Sequence, residues 1–177
     1  LIKEAKKIGF PVLLKASAGG GGKGMRTVFK ESEFLSSLNE VRREAKNVFG
    51  DDRIIIEKFV ESGRHIEVQI LGDNSGNIFH FFERECTIQR RYQKVIEETP
   101  SKILDNKVRK QMVDCATKIG KKLGYKSLGT VEFIYDNKTK NFFFLEVNTR
   151  IQVEHPVTEE ITGVDLVDLQ LKIAQGE

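Results

Sequence analysis

Three stretches of this 177-residue sequence place reactive residue types at spacings that suggest chemistry. The first is Lys15 followed by Ala18–Met25, which holds four consecutive glycines, Lys23 and a fifth glycine. Such a run costs backbone entropy in any folded state, and a plain turn needs only one or two glycines. Bare N–H groups beside lysines suit a phosphate cradle. The segment lacks the Lys-Ser/Thr ending of a P-loop and does not match the dinucleotide fingerprint. Lys15 rises from the otherwise apolar run Val12–Ala16, where an inward-facing lysine needs an anionic partner. The bland alternative is a surface loop.

The second set is Glu132, Glu146 and Asn148. A hairpin centred near Lys138 brings the two carboxylates almost opposite each other. Period two then puts Phe142, Phe144, Glu146 and Asn148 on one face, with Phe143 on the other. Facing like charges repel, and a divalent cation removes that penalty. Hard oxygen ligands favour magnesium already carrying substrate phosphates. The competing reading is a solvated sheet face with unrelated acids.

The third set is Glu146–Pro156, where Arg150, Gln152 and Glu154 alternate and share a face if the chain stays extended. An arginine offers a planar fork to a small oxyanion. Either Glu154 or His155 could then serve as general base, the histidine being equally readable as a packing residue. Glu57-Lys58, His65, His80 and Glu83-Arg84-Glu85 are weak signals taken alone. The basic run Arg90–Lys94 includes an aromatic, so nucleic acid enters the comparison. The acids at 97 and 98 and a net charge of only +3 argue against it.

These residues need elements to position them. Val12–Ala16, Met25–Phe29 and Ile54–Phe59 read as strands by β-branching and length. Phe34, Leu38, Val41, Ala45 and Val48 recur at helical steps, predicting a helix over roughly 31–49. His65–Leu71 and Ile78–Glu83 form a hairpin, and Thr87–Glu98 is polar and extended. A second helix spans roughly 105–123. Thr130–Tyr135 and Asn141–Asn148 flank a polar turn and form the strongest hairpin signal. Thr162-Gly-Val-Asp165 reads as a cap for a final helix through about Ala174. This order predicts an α+β class rather than a doubly wound sheet.

Composition narrows the function. The two cysteines, Cys86 and Cys115, exclude a disulfide framework or a zinc site and suggest reduced core thiols. Short apolar runs exclude a membrane helix. The chain opens without Met on what reads as the tail of a helix, so it is expected to be a piece of a longer enzyme.

With these motifs in order, the sequence resembles the biotin carboxylase family of the ATP-grasp superfamily. The resemblance runs through Lys15–Met25, Ile56–Phe59, Arg64–Glu67, Glu83–Cys86, Gln89–Lys94, Gly129–Phe133 and Glu146–Pro156. It covers nearly the whole chain. The branch it most resembles is the α subunit of acyl-CoA carboxylases of propionyl- or methylcrotonyl-CoA type. Arg42–Lys46 and Gln170–Glu177 lean toward methylcrotonyl. The resemblance implies an ATP-grasp fold, with a lid subdomain over 1–58 and part of an antiparallel-sheet ATP-binding core over 59–177. It implies that Lys15 and the loop through Gly20, Gly21 and Gly22 hold ATP phosphates. Glu57 and Lys58 then bind adenine, and His65 and Gln89 line the ribose side. Glu132 and Glu146 hold Mg²⁺ (or Mn²⁺), with Asn148 nearby. Lys94 and Arg150 hold bicarbonate, with backbone help around Gln152–Val153, and Glu154 rather than His155 is the base. Carboxyphosphate forms and its CO₂ passes to biotin on a carboxyl carrier domain.

The further partners implied are a carboxyltransferase subunit and the enzyme's own N- and C-terminal lobes, with no nucleic acid and no membrane. The compartment implied is the mitochondrial matrix in a eukaryote and the cytoplasm in a bacterium. An isolated piece is expected to be inactive. Tyr92 departs from the His or Asn often found there, which is read as a change at the pocket edge. Another ATP-grasp ligase of carbamoyl-phosphate synthetase type, or a non-catalytic nucleotide-binding module, is the alternative.

Overall fold

A computed structural model of the chain describes residues 1–19 and 23–177. Two units emerge: Leu1–Glu61 with Arg91–Gln93, and Ser62–Arg90 with Lys94–Glu177.

The first unit holds α1 (Ile2–Ile8), β1 (Val12–Ala16), β2 (Met25–Val28), a 3₁₀ turn at Glu31–Glu33, α2 (Phe34–Phe49) and β3 (Ile54–Lys58). Its sheet has the order β2-β1-β3 with antiparallel neighbours. Helix α2 turns Phe34, Leu38 and Val41 onto Val12, Leu14 and Val28, the stripe expected from its spacing. It ends where Gly50 enters the left-handed region. The buried residues of β1 are Val12, Leu14 and Ala16, so Lys15 sits on the opposite face of the sheet. It is therefore not turned into the core.

The second unit is built on a five-stranded sheet, ordered β6-β5-β4-β7-β8. Its strands are β4 (Gly63–Gly72), β5 (Ile78–Arg90), β6 (Gln93–Glu98), β7 (Ser127–Asp136) and β8 (Phe142–Asn148). Helix α3 (Asn106–Leu123) covers one face, its first turn capped by the Asp105 carboxylate on the Val108 amide. It packs Val108, Met112, Val113 and Ala116 onto Ile66, Val68, Ile70, Val131 and Phe133. A separate apolar cluster joins Leu71 and Leu128 to Leu166, the first residue of α5 (Leu166–Gln175).

Four local features differ from the sequence expectation. The polar stretch 87–98 is a hairpin: β5 runs on to Arg90 and returns as β6, with Arg91 and Tyr92 both at positive φ. That backbone is what a tight two-residue hairpin turn needs, although neither residue is glycine. A helix not anticipated, α4 (His155–Thr162), follows β8 after the turn at 149–154, so the chain does not stay extended through Glu154. The final helix is capped by Asp165 itself, which accepts from the Asp168 amide, while Thr162 closes α4. The fourth difference lies in β8. Glu132 pairs with Glu146 and Phe133 with Phe144, so Leu145 is an extra residue opposite no partner. Phe142 and Phe144 therefore fall on the α3 face with Tyr135 and Phe133, and Phe143 shares the face of Glu146 and Asn148. The period-two prediction for the three phenylalanines is reversed by that bulge.

Candidate functional site

The site is a row of charge running across the second sheet. Alternation on β4 turns Ile66, Val68 and Ile70 toward α3, so Glu67 and Gln69 must point the other way. Register then places Arg84, Glu67, Glu132 and Glu146 side by side on β5, β4, β7 and β8. Thr130 and Asn148 form the next pair along the same face. Three of the four charged residues are buried: Arg84, Glu67 and Glu132. Buried charge is tolerable only when paired, and the pairing here is extensive.

Lys94 is the hub. Its ammonium contacts Glu67, Glu154 and, at 2.9 Å, Glu132. Burial works against that charge, but the carboxylates of Glu67 and Glu132 override it and hold the Lys94 pKa well above the usual lysine range. Glu132 Oε1 also accepts from Asn148 Nδ2 at 2.9 Å and Gln152 Nε2 at 3.2 Å. His65 Nε2 lies 3.3 Å from Glu132 Oε2 and 3.5 Å from Glu67 Oε2, at ion-pair distance but without hydrogen-bond angles. Burial opposes the imidazolium, yet Glu132 and Glu67 together raise the His65 pKa to about 9. Burial likewise raises both glutamates, and the cationic neighbours win: Glu67 falls to about 2 through His65, Arg84 and Lys94, and Glu132 to about 2 through His65 and Lys94. At neutral pH Lys94, His65, Glu67 and Glu132 are therefore all charged. Cys86 is buried within reach of Glu67 and Glu154. Its burial, with Glu67 beside it, pushes the thiol pKa far up, so it stays protonated.

The predicted residues distribute unevenly around this hub. Glu154 is brought in by the turn before α4, and Gln152 with it; both are buried. Arg150 is not drawn into the cluster: it is exposed and donates to the Ile151 carbonyl at 3.2 Å. The shared face of Arg150, Gln152 and Glu154 required an extended chain, and the turn removes it. His155 caps the same turn, with Nδ1 2.8 Å from the Gln152 carbonyl and Nε2 3.8 Å from Glu159, so it points into its own helix. Gln89 donates to the Cys86 carbonyl at 2.8 Å. In the first unit, Lys15 lies 3.5 Å from Glu57, and Lys58 donates to the carbonyls of Gly9 and Phe10. Gly20, Gly21 and Gly22 lie outside the described residues.

From the sequence Arg84 is only part of a weak signal, Thr158 is not singled out, and Glu67 has no assigned role. Arg84 is fully buried and donates to Glu67, Gln69, Thr158 and Thr130. A usable signal existed: His65, Glu67 and Gln69 alternate with the apolar Ile66, Val68 and Ile70.

The donors also suit a hard divalent cation. Glu132 and Glu146 face each other, Asn148 adjoins them, and the Glu146 carboxylate makes no hydrogen bond or ion pair among the described residues. The buried Gln152 Oε1 beside Glu132 also lacks a partner. Oxygen-only donors around a free carboxylate match what Mg²⁺ requires.

Known proteins resemble the chain over nearly its whole length. The family model of the carbamoyl-phosphate synthase L chain, ATP binding domain, matches residues 1–177. The mitochondrial methylcrotonoyl-CoA carboxylase subunit alpha of Rattus norvegicus is 55% identical over 177 residues, covering 100% of this chain and 25% of that protein. The propionyl-CoA carboxylase alpha chain of Ruegeria pomeroyi is 56% identical over 176 residues, covering 99% and 26%. The biotin carboxylase domain of Hydrogenobacter thermophilus 2-oxoglutarate carboxylase superposes with a TM-score of 0.94 at 50% identity, covering 99% of this chain and 39% of that one. That domain was crystallised as a dimer with MgADP, ADP and bicarbonate. The chain thus spans a quarter to two-fifths of these three proteins, and its nearly equal identity to the first two does not separate one acyl-CoA from the other.

Proposed function

The chain belongs to the carbamoyl-phosphate synthase L chain ATP-binding domain family, on its biotin carboxylase branch, and we propose that it handles ATP and bicarbonate within a biotin-dependent carboxylase. The observation that carries this reading is the buried Glu154 carboxylate held on Lys94 in the same cluster as Glu132. A carboxylate fixed in this way is placed to take a proton from a small anion docked beside a cation.

Lys94 and Arg150 hold bicarbonate, Lys94 from within the cluster and Arg150 from the exposed side. Glu154 accepts the bicarbonate proton, and the freed oxygen attacks the γ-phosphorus of ATP, releasing ADP. The product is carboxyphosphate, which splits into CO₂ and phosphate; the ureido nitrogen of biotin on a carrier domain takes the CO₂ and gives its proton to that phosphate. Glu132, Glu146 and Asn148 would hold Mg²⁺, which when bound neutralises charge on the phosphate oxygens. Lys15 and the loop through Gly20, Gly21 and Gly22 contact the phosphates, Glu57 and Lys58 the adenine, and His65 and Gln89 the ribose side. A dry site protects carboxyphosphate from hydrolysis.

The carbamoyl-phosphate synthetase alternative shares the carboxyphosphate step. The two acyl-CoA carboxylase subunits, alike over this whole chain, favour the biotin reading. The test is bicarbonate-dependent ATP cleavage by a full-length carboxylase carrying this sequence, with and without free biotin. Glu154→Ala is expected to abolish biotin-dependent turnover while ATP binding persists. Unchanged turnover in that variant overturns the assignment.

A further inference from the structure

We propose that Arg84 and Thr158 are positioning residues that set the place of the Glu154 carboxylate; this rests on the role of general base given to Glu154 above. Helix α4 starts in an unusual way. Glu154 occupies the N-cap position of α4, yet its side chain makes no capping hydrogen bond. Its carboxylate is directed to Lys94 instead. Something other than the local helix end must therefore fix its direction.

The contacts form a closed ring. Glu154 holds Lys94, and Lys94 holds Glu67 through Oε2. Glu67 uses its other oxygen, Oε1, to accept from Arg84 Nε at 2.6 Å. Arg84 Nη1 then donates to Thr158 Oγ1 at 3.0 Å, and Thr158 lies one helical turn after Glu154 on α4. The backbone from Glu154 to Thr158 closes the circuit. Arg84 cannot drift, because Gln69 accepts from Nη1 at 2.7 Å and Thr130 lies 3.4 Å from Nη2. Gln69 is itself held on the Gly129 carbonyl at 3.0 Å. Arg84 and Thr158 are both essentially unexposed, so water cannot replace the bond between them. Among the described residues, this hydroxyl makes the side-chain hydrogen bond that ties the body of α4 to the sheet. Arg84 touches neither the metal-type donors Glu146 and Asn148 nor the exposed Arg150. It acts through Glu67 on one side and through α4 on the other.

A ring of this kind converts a small tilt of α4 into a displaced base, and a displaced base slows proton transfer without weakening nucleotide binding. The test uses a full-length carboxylase carrying this sequence, with Thr158→Val, Thr158→Ser and, in parallel, Glu154→Gln. T158V keeps the side-chain volume and removes the hydroxyl. Its kcat for bicarbonate-dependent biotin carboxylation is expected to fall about tenfold, the scale of one lost hydrogen bond to a charged group. Its KM for ATP should stay within about twofold, as expected when only the chemical step suffers. T158S restores the hydroxyl and should restore kcat. The inference is overturned if T158V turns over normally while E154Q is inactive, if T158V raises the KM for ATP as much as it lowers kcat, or if T158S is as impaired as T158V. Should T158V not fold, T158S decides: unaltered kcat and KM support the hydroxyl's role, and a lowered kcat overturns it. Retained activity in E154Q instead removes the role of Glu154 itself, whatever Thr158 does.

Discussion

Glu132 and Glu146 stand directly opposite each other across β7 and β8, one enclosed and one exposed. Glu132 is satisfied by Lys94, Asn148, Gln152 and the nearby His65, whereas Glu146 makes no such contact among the described residues. The pair therefore joins a carboxylate anchored in the protein to one available to an incoming cation. Their roles should separate experimentally.

Glu146→Gln should leave folding intact, because an exposed residue without partners contributes within about 0.5 kcal/mol. The Mg²⁺ concentration for half-maximal ATP cleavage should rise about tenfold, the effect of roughly 1.4 kcal/mol of lost ligand free energy. Glu132→Gln should instead destabilise by about 3 kcal/mol, since it leaves part of a buried charge cluster uncompensated. Thermal unfolding and metal titration of both variants separate the two effects, and equal loss of stability in both would contradict the asymmetry.

Glu154→Gln keeps the shape of the side chain and removes its basicity. Bicarbonate-dependent ATP cleavage should fall about 10²- to 10⁴-fold, the range for a missing general base. ATP binding measured by calorimetry should change little, because Glu154 reaches Lys94 and not the exposed metal-type carboxylate.

Gly72→Ala should prevent stable folding of the second sheet. A methyl there would lie 1.9 Å from the Tyr125 carbonyl oxygen, a backbone atom that cannot swing aside. The same tyrosine is tied down by its hydroxyl on the Leu128 carbonyl at 2.7 Å. A loss above about 4 kcal/mol is expected, seen as insoluble expression or a collapsed unfolding temperature. A soluble variant with an unchanged unfolding temperature would show that the strand end is looser than described.

Asp136 provides a local pH dependence. The Lys138 amide and the Thr139 hydroxyl, helped by Ser62 and opposed by slight desolvation, hold its carboxyl below the usual 3.8. A lowered folded-state pKa means stabilisation present above the unfolded value and lost as pH falls through the folded one. Asp136→Asn should therefore speed amide exchange in the β7–β8 turn at neutral pH relative to the parent. The difference should close as the pH drops below about 3.8, the ordinary value from which Asp136 is lowered. A difference that persists at lower pH would detach the effect from this carboxyl.

Much of this architecture is written in local pattern. The spacing of Phe34, Leu38, Val41 and Ala45 specifies α2, and the polar turn before β8 specifies the hairpin that brings Glu132 and Glu146 together. Both arise from side-chain periodicity, which neighbouring residues alone determine. The choice of Glu154 over His155 was likewise accessible, through the resemblance of Glu146–Pro156 to a known motif, and it remains a proposal that the buried contact with Lys94 supports.

What lay beyond local pattern depended on register and on the chain's path after β8. A single unpaired residue, Leu145, reverses the faces of three phenylalanines, and no alternation rule places it in advance. The turn before α4 buries Gln152 and Glu154 and leaves Arg150 outside, because those side chains meet partners on β6 and β7 that are distant in sequence. Arg84 looked like one charge among several in Glu83–Glu85, and only cross-strand pairing with Glu67 makes it the buried centre of a network. Sequence determined which groups could act and on which elements they ride. Tertiary structure decided which of them share a desolvated space, because burial and pairing of charge are properties of several strands at once.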